Sequence, residues 1–88
     1  MKWTVTLSRS ARRQLKKLPM DVQQFITDWL LEMEHDPFSG GVIRLKGKRF
    51  AGKYRKRIGR YRAIFIPFHE KKVVEVSAVL LRNEATYQ

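Results

Sequence analysis

The sequence predicts an α+β domain: a strand, a two-helix hairpin, then a three-stranded, mostly antiparallel sheet, in the order β-α-α-β-β-β. Three observations carry this expectation. Alternation opens the chain, helical spacing governs residues 11–33, and alternation returns between residues 54 and 81. In the first strand Trp3, Val5 and Leu7 fall on one side and Lys2, Thr4 and Thr6 on the other, the mark of a half-buried strand. Ser8 or Ser10 can cap the helix that follows, in which Ala11, Leu15 and Leu18 share a face and Arg9, Arg12, Arg13, Lys16 and Lys17 point away. Pro19 breaks it and suits the first turn of the next helix, where Asp21 complements the dipole. There Val22, Phe25, Ile26, Trp29, Leu30 and Met33 form one apolar stripe, with Leu31 opposite it and exposed. Pro37 and Gly40-Gly41 end that helix near His35-Asp36.

The two helices are expected to cover one face of the sheet. Tyr54 to Ile58 and Tyr61 to Ile66 read as strands joined tightly through Gly59-Arg60. Pro67 marks a strand end, a bulge or an edge, because it cannot donate to a ladder. His69 to Lys72 turns the chain into Val73 to Leu81, the most β-branched strand. Eighty-eight residues make one domain, 1–88, with no repeat or linker. With no cysteine, disulfides and thiolate zinc sites are excluded. No apolar run approaches the roughly 20 residues of a membrane span, and the opening residues are too short and alternating for a signal peptide, so the chain reads as cytoplasmic with no membrane partner.

Charge is the strongest functional signal. Nineteen basic residues against eight acidic ones give +11, unevenly placed. Residues 1–40 carry six basic and five acidic residues, a net of +1, whereas residues 41–88 carry thirteen and three, a net of +10. Between Arg44 and Arg62 there are ten basic residues and no acid. Ordinary surface charge accounts for the first half; the second half is the footprint of a surface that binds a polyanion. Alternation puts Tyr54, Lys56 and Ile58 on one face and Arg55 and Arg57 on the other, with Arg62 opposite Tyr61, Ala63 and Phe65 on the next strand. If the aromatic faces pack under the helices, Arg55, Arg57 and Arg62 converge on the open face. With Lys46, Lys48 and Arg49 on the approaching loop they make a phosphate cradle, since guanidinium forks match phosphate oxygens. Other chemistries lack support. His35 and His69 lie at a helix end and in a turn, the acids make no metal pair, and Gly40-Gly41 and Gly47 lack the spacing of a phosphate-binding glycine loop.

The segment Arg44-Leu45-Lys46-Gly47, followed by Gly52-Lys53-Tyr54-Arg55-Lys56-Arg57-Ile58-Gly59-Arg60-Tyr61-Arg62-Ala63-Ile64-Phe65, resembles the signature of the RelE/ParE toxin superfamily. The opening strand, the hairpin broken at Leu18-Pro19, and Val79, Arg82 and Tyr87 near the end extend the resemblance along the whole chain. It implies a compact toxin fold, a cognate antitoxin as partner, and one of two activities: cleavage of mRNA in the ribosomal A site, or poisoning of DNA gyrase. Arg82 and Tyr87 favour the RelE branch, an mRNA interferase that contacts mRNA and rRNA and needs no metal or other cofactor. On that resemblance the catalytic set is Arg62, Arg82, Tyr87, Arg57 and Arg55, and the RNA-binding set is Lys46, Lys48, Arg49, Lys53, Lys56 and Arg60. Departures are present: lysines stand in some members where this chain has Arg55 and Arg57, and Lys56 occupies a usually apolar position. The alternatives are a ParE-like gyrase inhibitor and a non-catalytic RNA-binding module.

Overall fold

A computed structural model describes residues 2–81. Its elements are β1 (Thr4–Leu7), α1 (Arg9–Lys16), α2 (Met20–Glu32), β2 (Val42–Arg44), β3 (Tyr54–Ile58), β4 (Tyr61–Phe68) and β5 (Val73–Leu81), with a short 3-10 turn at Lys48–Phe50. They build the expected α+β fold, with one sheet larger than expected: five strands in the order β1-β5-β4-β3-β2. The three strands after the helices are β3, β4 and β5. The opening strand joins them parallel to β5, and Val42–Arg44 adds a further edge against β3. Among the described residues, no helix is long and apolar enough to cross a membrane.

The two helices cover one sheet face. Ala11 and Leu15 from α1 and Ile26 and Leu30 from α2, with Met33 just beyond, bury against Trp3, Ile58, Ala63, Phe65, Val74, Val76 and Val79. Phe25 belongs to the same stripe, yet it stays 46% exposed and packs over the β3–β4 turn. That turn has two residues, with Gly59 first at φ 58° and Arg60 not in the left-handed region, the pattern of a type II′ hairpin. A Cβ on Gly59 would come within 3.1 Å of the Phe25 ring. Pro67 lies where β4 has run past its pairing with β3 and keeps β5 alone as neighbour, the edge position a proline tolerates.

Helix α1 is fixed to the sheet by polar tethers as well as by burial. Ser8 is its N-cap: the hydroxyl accepts from the Ala11 N–H at 3.1 Å and donates to the Ser77 carbonyl, also at 3.1 Å. Ser77 is the residue skipped where β5 slips against β4, since Ile64 pairs with Ala78 and Phe65 with Val76. One turn on, Gln14 Oε1 accepts from the Val79 N–H at 2.8 Å. From α2, Gln23 Nε2 donates to the Leu18 carbonyl at 2.7 Å and closes the other end of the hairpin. Ser8→Ala removes a cap and a tether to the bulge together. Urea or thermal unfolding should show a loss of about 1–2 kcal/mol, against a few tenths for the exposed control Ser10→Ala.

Candidate nucleic-acid interface

The pleat of the β3–β4 hairpin sorts its side chains. Tyr54, Lys56 and Ile58 pair with Phe65, Ala63 and Tyr61 on the helix-covered face. The residues between them project from the open face: Arg55 opposite Ile64, and Arg57 directly opposite Arg62. Side chains so paired start about 4.5–5.5 Å apart at Cβ, and Arg55 sits about 7 Å from Arg57 along its strand. Three guanidiniums therefore share one small patch. Arg57 is exposed, and Arg55 and Arg62 are half-buried. The Nε–H of Arg55 is shielded from solvent and meets no acceptor among the described residues.

The patch has an apolar floor that alternation implies but composition hides. Ile64 belongs to the open face and is only 4% exposed. Its register neighbours are Arg55 and Ala78, and the half-buried stems of Arg55 and Arg62 are the long side chains beside it. Ile43, opposite Arg55 on β2, and Leu80, opposite Arg62 on β5, widen the floor on either side. A surface that offers aliphatic area beneath fixed guanidiniums can hold a base and the phosphate attached to it.

The loop before β3 adds further cations. Arg44, Leu45, Lys46, Gly47 and Ala51 line a depression of about 420 Å³, and Lys48 and Arg49 stand exposed on the 3-10 turn. The Leu45 N–H donates to the Lys53 carbonyl at 3.1 Å, so this loop is held at the start of β3, beside Arg55. Arg60 is exposed on the hairpin turn at the other end of the strand. Arg82 and Tyr87 lie outside the described residues; the last described residue, Leu81, pairs with Tyr61, next to the Leu80–Arg62 pair.

Lys56 is a correction. Expected among the nucleic-acid contacts, it is 1% exposed and lies in the core beneath β2. Its Nζ donates to the carbonyls of Ser39 and Gly40 and sits 5.5 Å from the centre of the Trp29 ring. The apolar face of β3 carries it inward, and the loop after α2 satisfies its charge. The same loop is held by Phe38, which stacks on His69 and meets Trp3 and Tyr54 edge-on. His69 is thus a packing residue, and among the described residues no cluster of three His, Cys, Asp or Glu side chains could hold a metal.

The fold agrees with the comparisons. No protein-family model matches the sequence, and neither does any curated protein. Solved structures do: a chain of the toxin–antitoxin complex RelBE2 of Mycobacterium tuberculosis is 25% identical with a TM-score of 0.84, covering 93% of this chain and 100% of that one. The archaeal RelE–RelB complex of Pyrococcus horikoshii is similar at 25% identity and TM-score 0.78, covering 97% of this chain and 100% of that chain. By fold, the chain belongs to the RelE/ParE toxin superfamily. A YoeB/ParE toxin of Agrobacterium tumefaciens shares the RelE-like fold at 20% identity and TM-score 0.74, over 90% of this chain and 98% of that one.

Burial lowers the Lys56 pKa from its ordinary value of 10.5, against the pull of Glu32 and Asp36. The folded chain then releases this proton at a lower pH than the unfolded chain does. Between those two values the unfolded state binds more protons, so this group makes stability rise with pH. Lys56→Met should flatten that alkaline rise relative to wild type and cost little at neutral pH, because the freed carbonyls belong to exposed residues that water can reach. Lys56→Glu should unfold the chain. Urea melts of the three proteins from about pH 8 to 10.5 read this out, and parallel wild-type and Met curves would remove the buried cation from the account.

Proposed function

We propose that the protein is the toxin of a toxin–antitoxin system and an endoribonuclease that cuts mRNA on the translating ribosome. The observation that carries this reading is the convergence of Arg55, Arg57 and Arg62 over an apolar floor on the one sheet face left open by the helices. In the reaction, the 2′-hydroxyl oxygen of a ribose bonds to the adjacent phosphorus while the bond from phosphorus to the 5′ oxygen breaks. One proton leaves the 2′-hydroxyl to a base and another reaches the 5′ oxygen, giving a cyclic phosphate and a free 5′-hydroxyl. Charge accumulates on the phosphoryl oxygens at the midpoint, and fixed guanidiniums stabilise it without having to reorganise.

In this reading Arg62 and Arg82 face that developing charge, and Arg55 and Arg57 hold the backbone on either side. Tyr87 stacks on a base or moves a proton, with Lys46 or Lys53 as the other candidate for proton transfer. Stacking on aromatic side chains is how unpaired RNA is generally held. Lys48, Arg49 and Arg60 extend the contact along the strand. The similarity to toxins solved in complex with RelB antitoxins supports a cognate antitoxin as partner. No cofactor enters the scheme, because the arginines supply the charge stabilisation.

Brief expression followed by mapping of RNA 5′ ends should find cuts inside translated messages, with gyrase supercoiling in the same cells untouched. Inhibited supercoiling without cuts would instead assign the ParE activity. Arg62→Ala and Arg82→Ala should each lower cleavage by roughly 10²–10³ while ribosome affinity changes only a few-fold. Tyr87→Phe keeps the ring and loses the hydroxyl. Near-normal cleavage by Tyr87→Phe with loss in Tyr87→Ala assigns stacking, equal loss in both assigns proton transfer, and no effect of either removes Tyr87 from the site.

A further inference from the structure

Taken by charge sum, the first forty residues look neutral; taken by position, they do not. Their five acids, Asp21, Asp28, Glu32, Glu34 and Asp36, all follow the first helix. Helix α1 and the residue after it carry Arg9, Arg12, Arg13, Lys16 and Lys17, with no acid in the first turn. All five side chains are exposed, and together they line a depression of about 350 Å³. This arrangement works against the helix. Arg9/Arg13, Arg12/Lys16 and Arg13/Lys17 are like-charge pairs four residues apart, and Arg9 sits at the positive end of the dipole. The helix persists because Ser8, Gln14, Ala11 and Leu15 fix its inner side to β5 and the core.

We infer that α1 is a second RNA-binding surface, which docks on the phosphate backbone of a folded RNA while the sheet arginines hold the single strand to be cut. Position separates the two surfaces. Helix α1 packs on the helix-covered face, against β5 and β1, whereas Arg55, Arg57 and Arg62 leave the opposite face. The molecule measures 34 × 30 × 24 Å, so a strand lying on the sheet reaches α1 only by wrapping around it. A large folded RNA that encloses the protein touches both faces at once. Spacing fits as well: Arg9 to Lys17 spans about 12 Å of helix, the length over which one strand of a duplex presents about three or four phosphates. A protein partner fits less well, since the exposed positions of α1 are Arg9, Ser10, Arg12, Arg13, Lys16 and Lys17, with no apolar or aromatic anchor among them.

The inference rests on the ribonuclease reading and can fail separately from it. The variant Arg9→Gln/Arg13→Gln/Lys16→Gln/Lys17→Gln removes four charges, keeps helix-forming residues and spares Arg12, whose Nη2 reaches the Leu7 carbonyl at 3.4 Å. Circular dichroism and a thermal melt establish its folding, and Arg13→Gln/Lys17→Gln replaces it if the fourfold variant does not fold. Binding is measured against salt with two probes: purified ribosomes and a short unstructured oligoribonucleotide. On ribosomes the log–log salt slope should shrink by about two to three units for four charges, or one to two for two charges. Binding of the oligoribonucleotide should stay at wild-type level. An unchanged slope on ribosomes overturns the inference, as does equal loss on both probes, which would make α1 part of the single-strand track. An unchanged ribosome slope with lost binding to polyglutamate would give the surface to an acidic protein and likewise overturn it. If the wild type itself binds neither RNA, the ribonuclease reading falls too; if the wild type binds and the variant matches it, only the α1 surface falls.

Discussion

The hairpin at Gly59-Arg60 is the constraint on which the rest of the molecule depends. Its two-residue turn fixes the register of β3 against β4, and in a strand the register decides the face of every side chain. A slip of β3 by one residue would send Arg55 and Arg57 under the helices and turn Tyr54 and Ile58 out to water, while β4 kept its faces. The apolar set thus guards the placement of the cationic set: the burial of Phe65, Ile58 and Ala63, each at 0% exposure, locks three guanidiniums on the other side of the same strands. Phe25 closes over the turn and holds the register from outside the sheet. A cation patch on paired strands loses little freedom when it meets its ligand, which is what charge stabilisation by preorganisation requires.

Lys56 shows a different balance on the same strand. A buried ammonium is costly unless its protons find acceptors. Here the acceptors are two carbonyls of the segment between α2 and β2, and the Trp29 ring lies near the charge. That segment leads straight into Gly41, whose carbonyl accepts from the Arg57 N–H at 3.3 Å, and then into β2. The core lysine therefore ties the α2–β2 connection to the back of the strand whose front carries Arg55 and Arg57.

Much of this was legible in the sequence, because the elements with strong periodicity are those that bury most. The apolar stripe of α2, the alternation of β3 and β4, and Ser8 as a cap all stand where spacing places them. Four features were not legible, each for a physical reason. Val42–Arg44 is too short to show a period, and its partner β3 lies across a loop. The parallel pairing of β1 with β5 is a contact between residues about seventy positions apart, which no local pattern encodes. Lys56 misleads because a charge suggests the surface, whereas its phase groups it with Tyr54 and Ile58 on the covered face. The small net charge of +1 over residues 1–40 conceals the segregation of five cations on α1 and its C-cap from five acids on and after α2, since a sum carries no position.

The remaining question is why so small a chain keeps +11 on a core this modest. Like charges held on fixed elements raise the free energy of the empty protein. On the sheet, Arg57 and Arg62 face each other across the ladder; on α1, cations recur every third or fourth residue. In the proposed reading both arrangements ease when a polyanion arrives, so the crowding of like charge favours the bound state. The stabilising contacts are sited accordingly. The Ser8 cap and the Gln14 tether hold the inner side of α1, and Lys56 lies on the covered face of the strand whose open face carries Arg55 and Arg57. Core and tethers hold the charged surfaces in place, and in the proposed reading that rigidity favours an anion that presents several phosphates at fixed spacing.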